Sequence, residues 1–448
     1  MNASFVLGID PGKTFFAATL SHATGERVWK GRQFDMSREG LDKMRSSLPA
    51  GDLTVGVEAS GRIDNNLMVW LTKWKACCRD RKITLIRVNP GQSARFGGPK
   101  PRRDQTDGSD SDHIAEFTRV YQRELEAFDG DPKAQSMARV VNERRNLVEQ
   151  LAGIKCRIHE QVMVCFPEFT KIFPDPLTKL ARLVLRKTPT ARIAARHKPI
   201  ALARIKGERR GRSLGIGKAQ DLVRLAKNSI ASACEEHDAG ALVFLIDELE
   251  LLEKRVGAIL QNLTSYAQQA KSDTPAQKGV SPARQIQLLD TIPGIALVAA
   301  STLVLATRGL TRFSAGKALS AQWASCPHRK KTGTSLDQTS LTMRGDHKNR
   351  AMLYLVTQSA CTSDPEFAFH KWRIVQRGLC PQQAVCAVMN KMARVIWALV
   401  AHNEVYDVNR MLDQIQIHHA ALWKTFVLLH KGHKRIWKKV DAKYRKTA

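Results

Sequence analysis

Short apolar runs alternate with amphipathic stretches over the first third of the chain. Phe5-Val-Leu-Gly-Ile9, Leu53-Thr-Val-Gly-Val57 and Ile83-Thr-Leu-Ile-Arg-Val88 each read as a strand. Helical patterns lie between and after them, including Arg62 to Trp74 and Ser111 to Leu125. Strands alternating with helices predict an α/β domain over residues 1–130, a sheet covered by helices. From about Gln135 the period changes. Leu147, Leu151, Ile154 and Ile158 recur at three- and four-residue steps, and Leu242, Leu245, Leu249, Leu252, Val256, Ile259 and Leu263 keep heptad a/d spacing. Residues 131–280 therefore read as a helical, coiled-coil-like region, whose leucine seam closes either within one subunit or between two. A mainly α domain follows over 281–405, opened by Leu289-Asp-Thr-Ile-Pro-Gly-Ile295 and the apolar Ala296 to Ala306. That stretch reads either as a helix-hairpin-helix element, with amides at the Pro293-Gly294 turn meeting a phosphate, or as a turn that serves core packing. Residues 406–448 complete the division as a basic tail.

Charge narrows the function more than periodicity does. The 448 residues hold 71 Lys and Arg against 42 Asp and Glu, a net charge of +29, and a sequence pI near 10.0. A field of that sign attracts polyanions, nucleic acid first among them. The surplus is concentrated. Arg186 to Lys218 holds eleven Lys or Arg, among them Arg209, Arg210, Arg212 and Lys218, against Glu208 alone. Its glycines at 207, 211, 215 and 217 break any long helix, so backbone amides could join the basic side chains at phosphates; a solvated loop is the plainer reading. From Lys431 onward eight basic residues face only Asp441. With 43% hydrophobic residues the chain is globular. The nine cysteines form no CxxC pairs and their odd number argues against a disulfide framework, so a cytoplasmic setting is expected. No secretory leader is expected, and the stretch Ile292 to Thr307 is too short to span a bilayer.

Candidate chemistry lies at the strand ends. Asp10 follows the first strand in Gly8-Ile-Asp-Pro-Gly-Lys13, and Glu58 closes the second. Asp107-Gly-Ser-Asp110 opens a helix, so two acids share its first turn. Taken singly, Asp10 is a turn residue and the Asp107–Asp110 pair is a helix cap. Taken together, clustered carboxylates repel unless divalent cations join them. Mg²⁺ takes hard oxygen ligands and can clamp the attacking and leaving oxygens of a phosphodiester.

This pattern resembles the DEDD-type insertion-sequence transposases, a family that includes the pilin-gene invertase and bridge-RNA-guided recombinases. The resemblance rests on Asp10 and Glu58, then Val88-Asn-Pro90, the basic Lys100 to Arg103, and Asp107 to Asp110 with Ser111 where alanine is usual. It implies a RuvC-like, RNase H-type first domain whose Asp10, Glu58, Asp107 and Asp110 bind Mg²⁺; Asp104 and Asp112 are the nearby acids a register error would substitute. Further on, the family carries Pro, four variable residues and Ser-Gly, the serine being its nucleophile. Here Cys326-Pro-His-Arg-Lys-Lys-Thr332-Gly333-Thr334-Ser335 places Thr332 at that position. Three alternatives stand: Thr332 attacks, Ser335 attacks from a shifted loop, or strand transfer is impaired. Arg329, Lys330 and Lys331 would hold the phosphate. Met343-Arg-Gly-Asp-His-Lys-Asn-Arg350 is similar to the family's basic run, with Arg344 and Arg350 matching.

The expected activity is thus DNA transposition or site-specific recombination. The resemblance further implies DNA ends and target as substrate, a guide RNA as partner, and a dimer or tetramer that brings two DNA ends together. A non-catalytic nucleic-acid-binding descendant is the alternative, favoured only by the threonine. An actin-like ATPase or sugar kinase is suggested by Gly8 to Lys13, but no second glycine-rich phosphate loop accompanies it.

Overall fold

The computed structural model describes residues 4–61, 63–96, 107–125, 127–128, 132–207, 213–231, 236–269, 280–332, 336–341, 345–438 and 440, with backbone alone for 107, 108, 132, 236, 329–332 and 336–339. The chain divides into two compact units, Met1–Lys133 and Ala134–Ala448.

In the first unit the elements run β1 (Ser4–Pro11), β2 (Phe15–His22), β3 (Arg27–Asp35), α1 (Arg38–Ser46), β4 (Asp52–Glu58), α2 (Asp64–Cys77), β5 (Ile83–Val88), α3 (Pro90–Phe96) and α4 (Asp107–Tyr121). The sheet order is β3-β2-β1-β4-β5. β1, β2 and β3 pair antiparallel, whereas β1, β4 and β5 pair parallel. This mixed α/β sheet is consistent with a RuvC-like fold. The three expected strands are present. The stretch between the first two holds the ribbon β2–β3 before its one helix, α1, begins. Gly12 turns the chain back at once, its N–H bonding the Phe15 carbonyl at 3.0 Å.

Strand alternation sorts the residues into two layers. Phe5, Leu7 and Ile9 of β1 and Leu53, Val55 and Val57 of β4 pack with Leu41 and Met44 of α1 and Leu67, Met68 and Leu71 of α2. The opposite face takes α4. A Cβ on Gly8 would stand 2.2 Å from the Ala115 nitrogen, and one on Gly56 would stand 2.0 Å from Thr118 Oγ1. Two glycines at matching register therefore let one helix lie directly on the sheet.

The second unit is mainly helical. It contains α5 (Pro132–Cys165), α6 (Lys179–Lys187), α7 (Ala191–Arg196), α8 (Pro199–Ala203), α9 (Ile216–Lys227), α10 (Glu236–Gln269), α11 (Pro282–Asp290), α12 (Leu297–Ala306) and α13 (Gly316–Gln322). The hairpin β6 (Pro327–Thr332) and β7 (Leu336–Leu341) follows, then α14 (His347–Ser363), α15 (Pro365–Val375), α16 (Pro381–His402) and α17 (Val408–His430). α5 and α10 run antiparallel: Gln161 near the end of α5 bonds Asp238 near the start of α10, and Val141 shares a core with Leu263. The leucine stripe is filled from within the chain. Leu242, Leu245, Leu249 and Leu252 are buried with Leu147, Leu151, Ile154, Ile158 and Val162 of α5.

Two parts differ from the sequence reading. Residues 408–438 and 440, expected as part of a basic tail, form α17 and a following turn. Leu412, Trp423, Phe426 and Trp437 are buried there against Phe369 of α15. The basic residues lie between aromatic anchors, and the anchors decide the fold. Secondly, α16, which the sequence reading did not single out, is the one described helix long and apolar enough to cross a membrane, while the stretch Ile292–Thr307 is too short, as expected. Ten of its side chains are buried, and eight of these, from Val388 to Val400, belong to the core shared with α12 and α14.

Candidate active site

Asp10 and Glu58 stand side by side at one end of the sheet. The parallel register pairs Ile9 with Val57, so the next residue on each strand is the carboxylate. Adjacent strands lie about 4.8 Å apart. Both acids are two residues beyond a glycine that faces α4, and so project to the α4 side. α4 itself runs against β1. Its Ser111 and Ala115 lie over Gly8, and its Arg119 lies by Gly25 in the turn after β2. That turn sits at the start of β1, where Ala23 N–H bonds the Ser4 carbonyl at 2.9 Å. The first turn of α4, Asp107 to Asp110, is therefore at the end where Asp10 and Glu58 emerge. Asp10, Glu58 and Asp110 are all half-buried, and for Asp107 the backbone alone is described.

Second-layer contacts tie this end together, and they involve residues that sequence reasoning missed. Ser93 of α3 is buried, and its hydroxyl reaches Glu58 Oε1 at 3.1 Å and the Pro90 carbonyl at 3.1 Å. His113, one turn after Asp110, meets the Ser93 carbonyl through Nε2 at 2.7 Å. α3 thus clasps the β4 carboxylate to the helix that carries Asp110. Deeper in, Thr19 and Ser111 share a buried hydroxyl–hydroxyl bond of 2.9 Å that fixes α4 on β2.

Asp112, one of the two competing acids, is engaged elsewhere. Arg27 Nε lies 2.7 Å and Lys30 Nζ 3.2 Å from its carboxylate. Partial burial raises its pKa, but the bonds and charge of these two cations outweigh that and hold it below the usual value. Asp104 lies outside the described residues.

An oxygen-only donor set of carboxylates at a strand-end crevice suits a hard cation such as Mg²⁺. Among the described residues no three His, Cys, Asp or Glu side chains are drawn together closely enough to hold an ion. That statement does not include the Asp107 side chain. Asp10, Glu58 and Asp110 match such a group in donor type and in placement at one sheet end, but these three side chains are not drawn together closely enough to hold the ion by themselves.

The other expected residues lie in the second unit or outside the described residues. Thr332 ends β6 and pairs with Leu336, the first residue of β7. Arg329, Lys330 and Lys331 precede it on the same strand, with backbone alone described. Ser335, Arg344, Arg209, Arg210 and Arg212 lie outside the described residues. Lys218 is exposed on α9, its Nζ 6.0 Å above the Phe173 ring. Arg186, at the head of the expected basic segment, is held by Asp247 and by Glu250 at 2.9 Å on α10. Gly294 has φ +95°, and a Cβ there would meet the Ala360 nitrogen of α14 at 2.5 Å, so packing by itself requires glycine in this turn. Arg350 of α14 is half-buried and lines an apolar cavity of about 380 Å³ with Leu341, Tyr354 and Met389.

Two transposase family models match the chain. A DEDD transposase model of the IS110 type covers residues 7–167, and a model described as "Transposase IS116/IS110/IS902 family" covers residues 286–371. Together they cover more than half of the sequence, and they divide it as the two candidate sites do. No curated protein sequence matches it. The first match contains nearly all of the sheet, both strand-end carboxylates and α4; the second contains the hairpin whose first strand ends in Thr332 and whose second strand opens with Leu336. This chain belongs to the DEDD-type IS110 family of transposases.

Proposed function

We propose that this chain cleaves and rejoins DNA strands with two groups: Mg²⁺ held by Asp10, Glu58, Asp107 and Asp110, and the hydroxyl of Thr332. The observation that carries the reading is the placement of Asp10 and Glu58 on adjacent parallel strands, both facing the helix whose first turn holds Asp107 and Asp110. When bound, Mg²⁺ supplies Lewis acidity at the phosphodiester oxygens. The carboxylates fix the position at which that charge is presented, and Ser93 keeps Glu58 from rotating away. Thr332 attacks phosphorus. Its oxygen forms the new ester bond, its proton leaves to solvent or base, and the departing sugar oxygen takes up a proton. Arg329, Lys330 and Lys331 on the same strand supply positive charge to the phosphate as it becomes more negative.

The proposal includes a guide RNA and a dimeric or tetrameric assembly, since joining two DNA ends needs two sets of groups. Incubation of the protein with Mg²⁺, element-end DNA and the element's flanking RNA tests it. The expected product is a covalent protein–DNA adduct that is lost in Thr332→Ala and kept in Ser335→Ala. An adduct lost only in Ser335→Ala moves the nucleophile to that residue. Absence of any adduct, with DNA binding intact, supports the non-catalytic reading.

A further inference from the structure

α15 and α17 hold a cationic cluster around Arg373, with which no carboxylate pairs among the described residues. The guanidinium of Arg373 lies between two imidazoles, its Nη1 2.5 Å from His419 Nε2 and its Nη2 3.3 Å from His370 Nδ1. It also stands 5.9 Å above the Phe369 ring. A guanidinium has only donors, so both ring nitrogens must be acceptors and both histidines neutral. Burial, reinforced by Lys391, Arg373 and His419, pushes the His370 pKa down to about 3, in keeping with that role. Arg373 Nε is buried without an acceptor. Among the described residues no carboxylate pairs with Arg373; the nearby Lys391 takes Glu366 at 2.8 Å. Just past the C-terminal end of α15, Arg377 is exposed, and His418 is exposed beside His419.

This arrangement is unusual for a structural arginine. Half-buried guanidinium groups are ordinarily neutralised by a carboxylate, often through two parallel bonds. Here neutral rings orient the fork and leave its charge intact. The chain also bends to make the contact: His419 has non-helical φ −144° and ψ 34° in the middle of α17, with no proline or glycine beside it. What the cluster lacks is an anion with oxygen acceptors and no protons of its own to donate. In a chain of net charge +29 that belongs to a DNA-transposing family, the anion that meets this description is a backbone phosphate.

We propose that Arg373 and Arg377 form a phosphodiester-binding site on the α15–α17 face, with His370 and His419 as neutral supports that aim the Arg373 fork. The inference rests on the transposase reading but adds to it, since Arg373, Arg377 and His419 all lie beyond the matched segment 286–371. The ligand is the sugar–phosphate backbone, irrespective of sequence. Arg373 places its fork on one phosphate and Arg377 adds a charge from the turn that follows α15.

The test is the salt dependence of binding, measured by fluorescence anisotropy on a linear duplex and on a single-stranded RNA. Each lost phosphate contact lowers the slope of log K against log salt by about 0.9 for duplex DNA and about 0.7 for a single strand. Arg377→Gln, an exposed change that leaves the core untouched, is expected to flatten the slope by about one such step. Arg373→Gln with Arg377→Gln is expected to flatten it by about two, and Arg373→Lys to restore charge without the fork. The substrate on which the slope changes identifies the backbone as DNA or RNA. Unchanged slopes on both substrates, with Arg373→Gln only lowering the melting temperature, would overturn the site and leave Arg373 a structural residue. If the unaltered protein bound neither substrate, the DNA-recombining reading itself would fall, whatever the variants did.

Discussion

The two candidate reactive parts of this chain are built on very different supports. Asp10 and Glu58 sit at the ends of central strands in a five-stranded sheet, with a helix pressed onto them through two glycines. Thr332 sits at the end of a two-stranded hairpin. A sheet of five strands with buried faces holds a side chain to a fraction of an ångström, whereas an isolated two-stranded ribbon has little independent stability. The difference matches the proposed chemistry. Metal ligands must keep a fixed geometry with or without DNA, while an attacking hydroxyl need only be placed when the phosphate arrives.

The sharpest way to break this comparison is to remove a strand-end acid. Asp10→Asn or Glu58→Gln is expected to lower the rate of adduct formation about 10³-fold or more, since metal stabilisation is worth several kcal/mol. Circular dichroism should be unchanged, because neither side chain is part of the apolar core. Retained activity would remove these residues from the site. Next in size, Thr332→Ala is expected to abolish the adduct while DNA affinity stays within a few-fold. Thr332→Ser, which keeps the hydroxyl and frees χ1, should retain it.

A smaller effect tests the clasp at the sheet end. Ser93→Ala takes away the bond to Glu58, and outer-layer partners of this kind typically account for about 10–100-fold in metal affinity. Raised Mg²⁺ should recover the activity of Ser93→Ala but not that of Asp10→Asn. An unchanged metal requirement would make Ser93 a packing residue.

A last effect, on no step of the reaction, concerns stability of the second unit. Asp364 is fully buried at the start of α15, and Tyr406 OH lies 3.1 Å from it and 2.8 Å from Glu366. Burial, then the Glu366 charge, pushes the Asp364 pKa up to about 7. The folded state therefore holds a proton that the unfolded chain releases near pH 4, so this contribution is full below about pH 4 and lost as pH rises toward 7. Between those limits the unaltered protein should lose stability relative to Asp364→Asn, by on the order of a few kcal/mol. Parallel melting curves of the two proteins over that range would count against a protonated Asp364.

Much of the sheet unit was legible because its strands are short, apolar and closed by turn residues. β1, β4 and β5 and the start of α4 follow from that pattern, and with them the positions of Asp10, Glu58 and Asp107 to Asp110. β2 and β3 were not legible. Arg27, Lys30 and Arg32 make β3 look like exposed surface, and only pairing with β2 reveals it as an edge strand. Ser93 and His113 left no signal, since their roles depend on α3 meeting both β4 and α4 in space. The α17 segment was masked by its basic residues, although Trp423, Phe426 and Trp437 recur there as anchors. The leucine stripe gave the helix but not its partner, because an apolar face supplied by α5 and one supplied by a second subunit would leave the same pattern in the sequence.

The account turns on whether the carboxylates share a cation, and a calorimetric titration of Mn²⁺ or Mg²⁺ into the DNA-free protein measures this directly. Saturable binding that is lost in Asp10→Asn, in Glu58→Gln and in Asp110→Asn, with all three variants folded, is the predicted result. Binding that survives all three substitutions, or no binding by the unaltered protein, would contradict it.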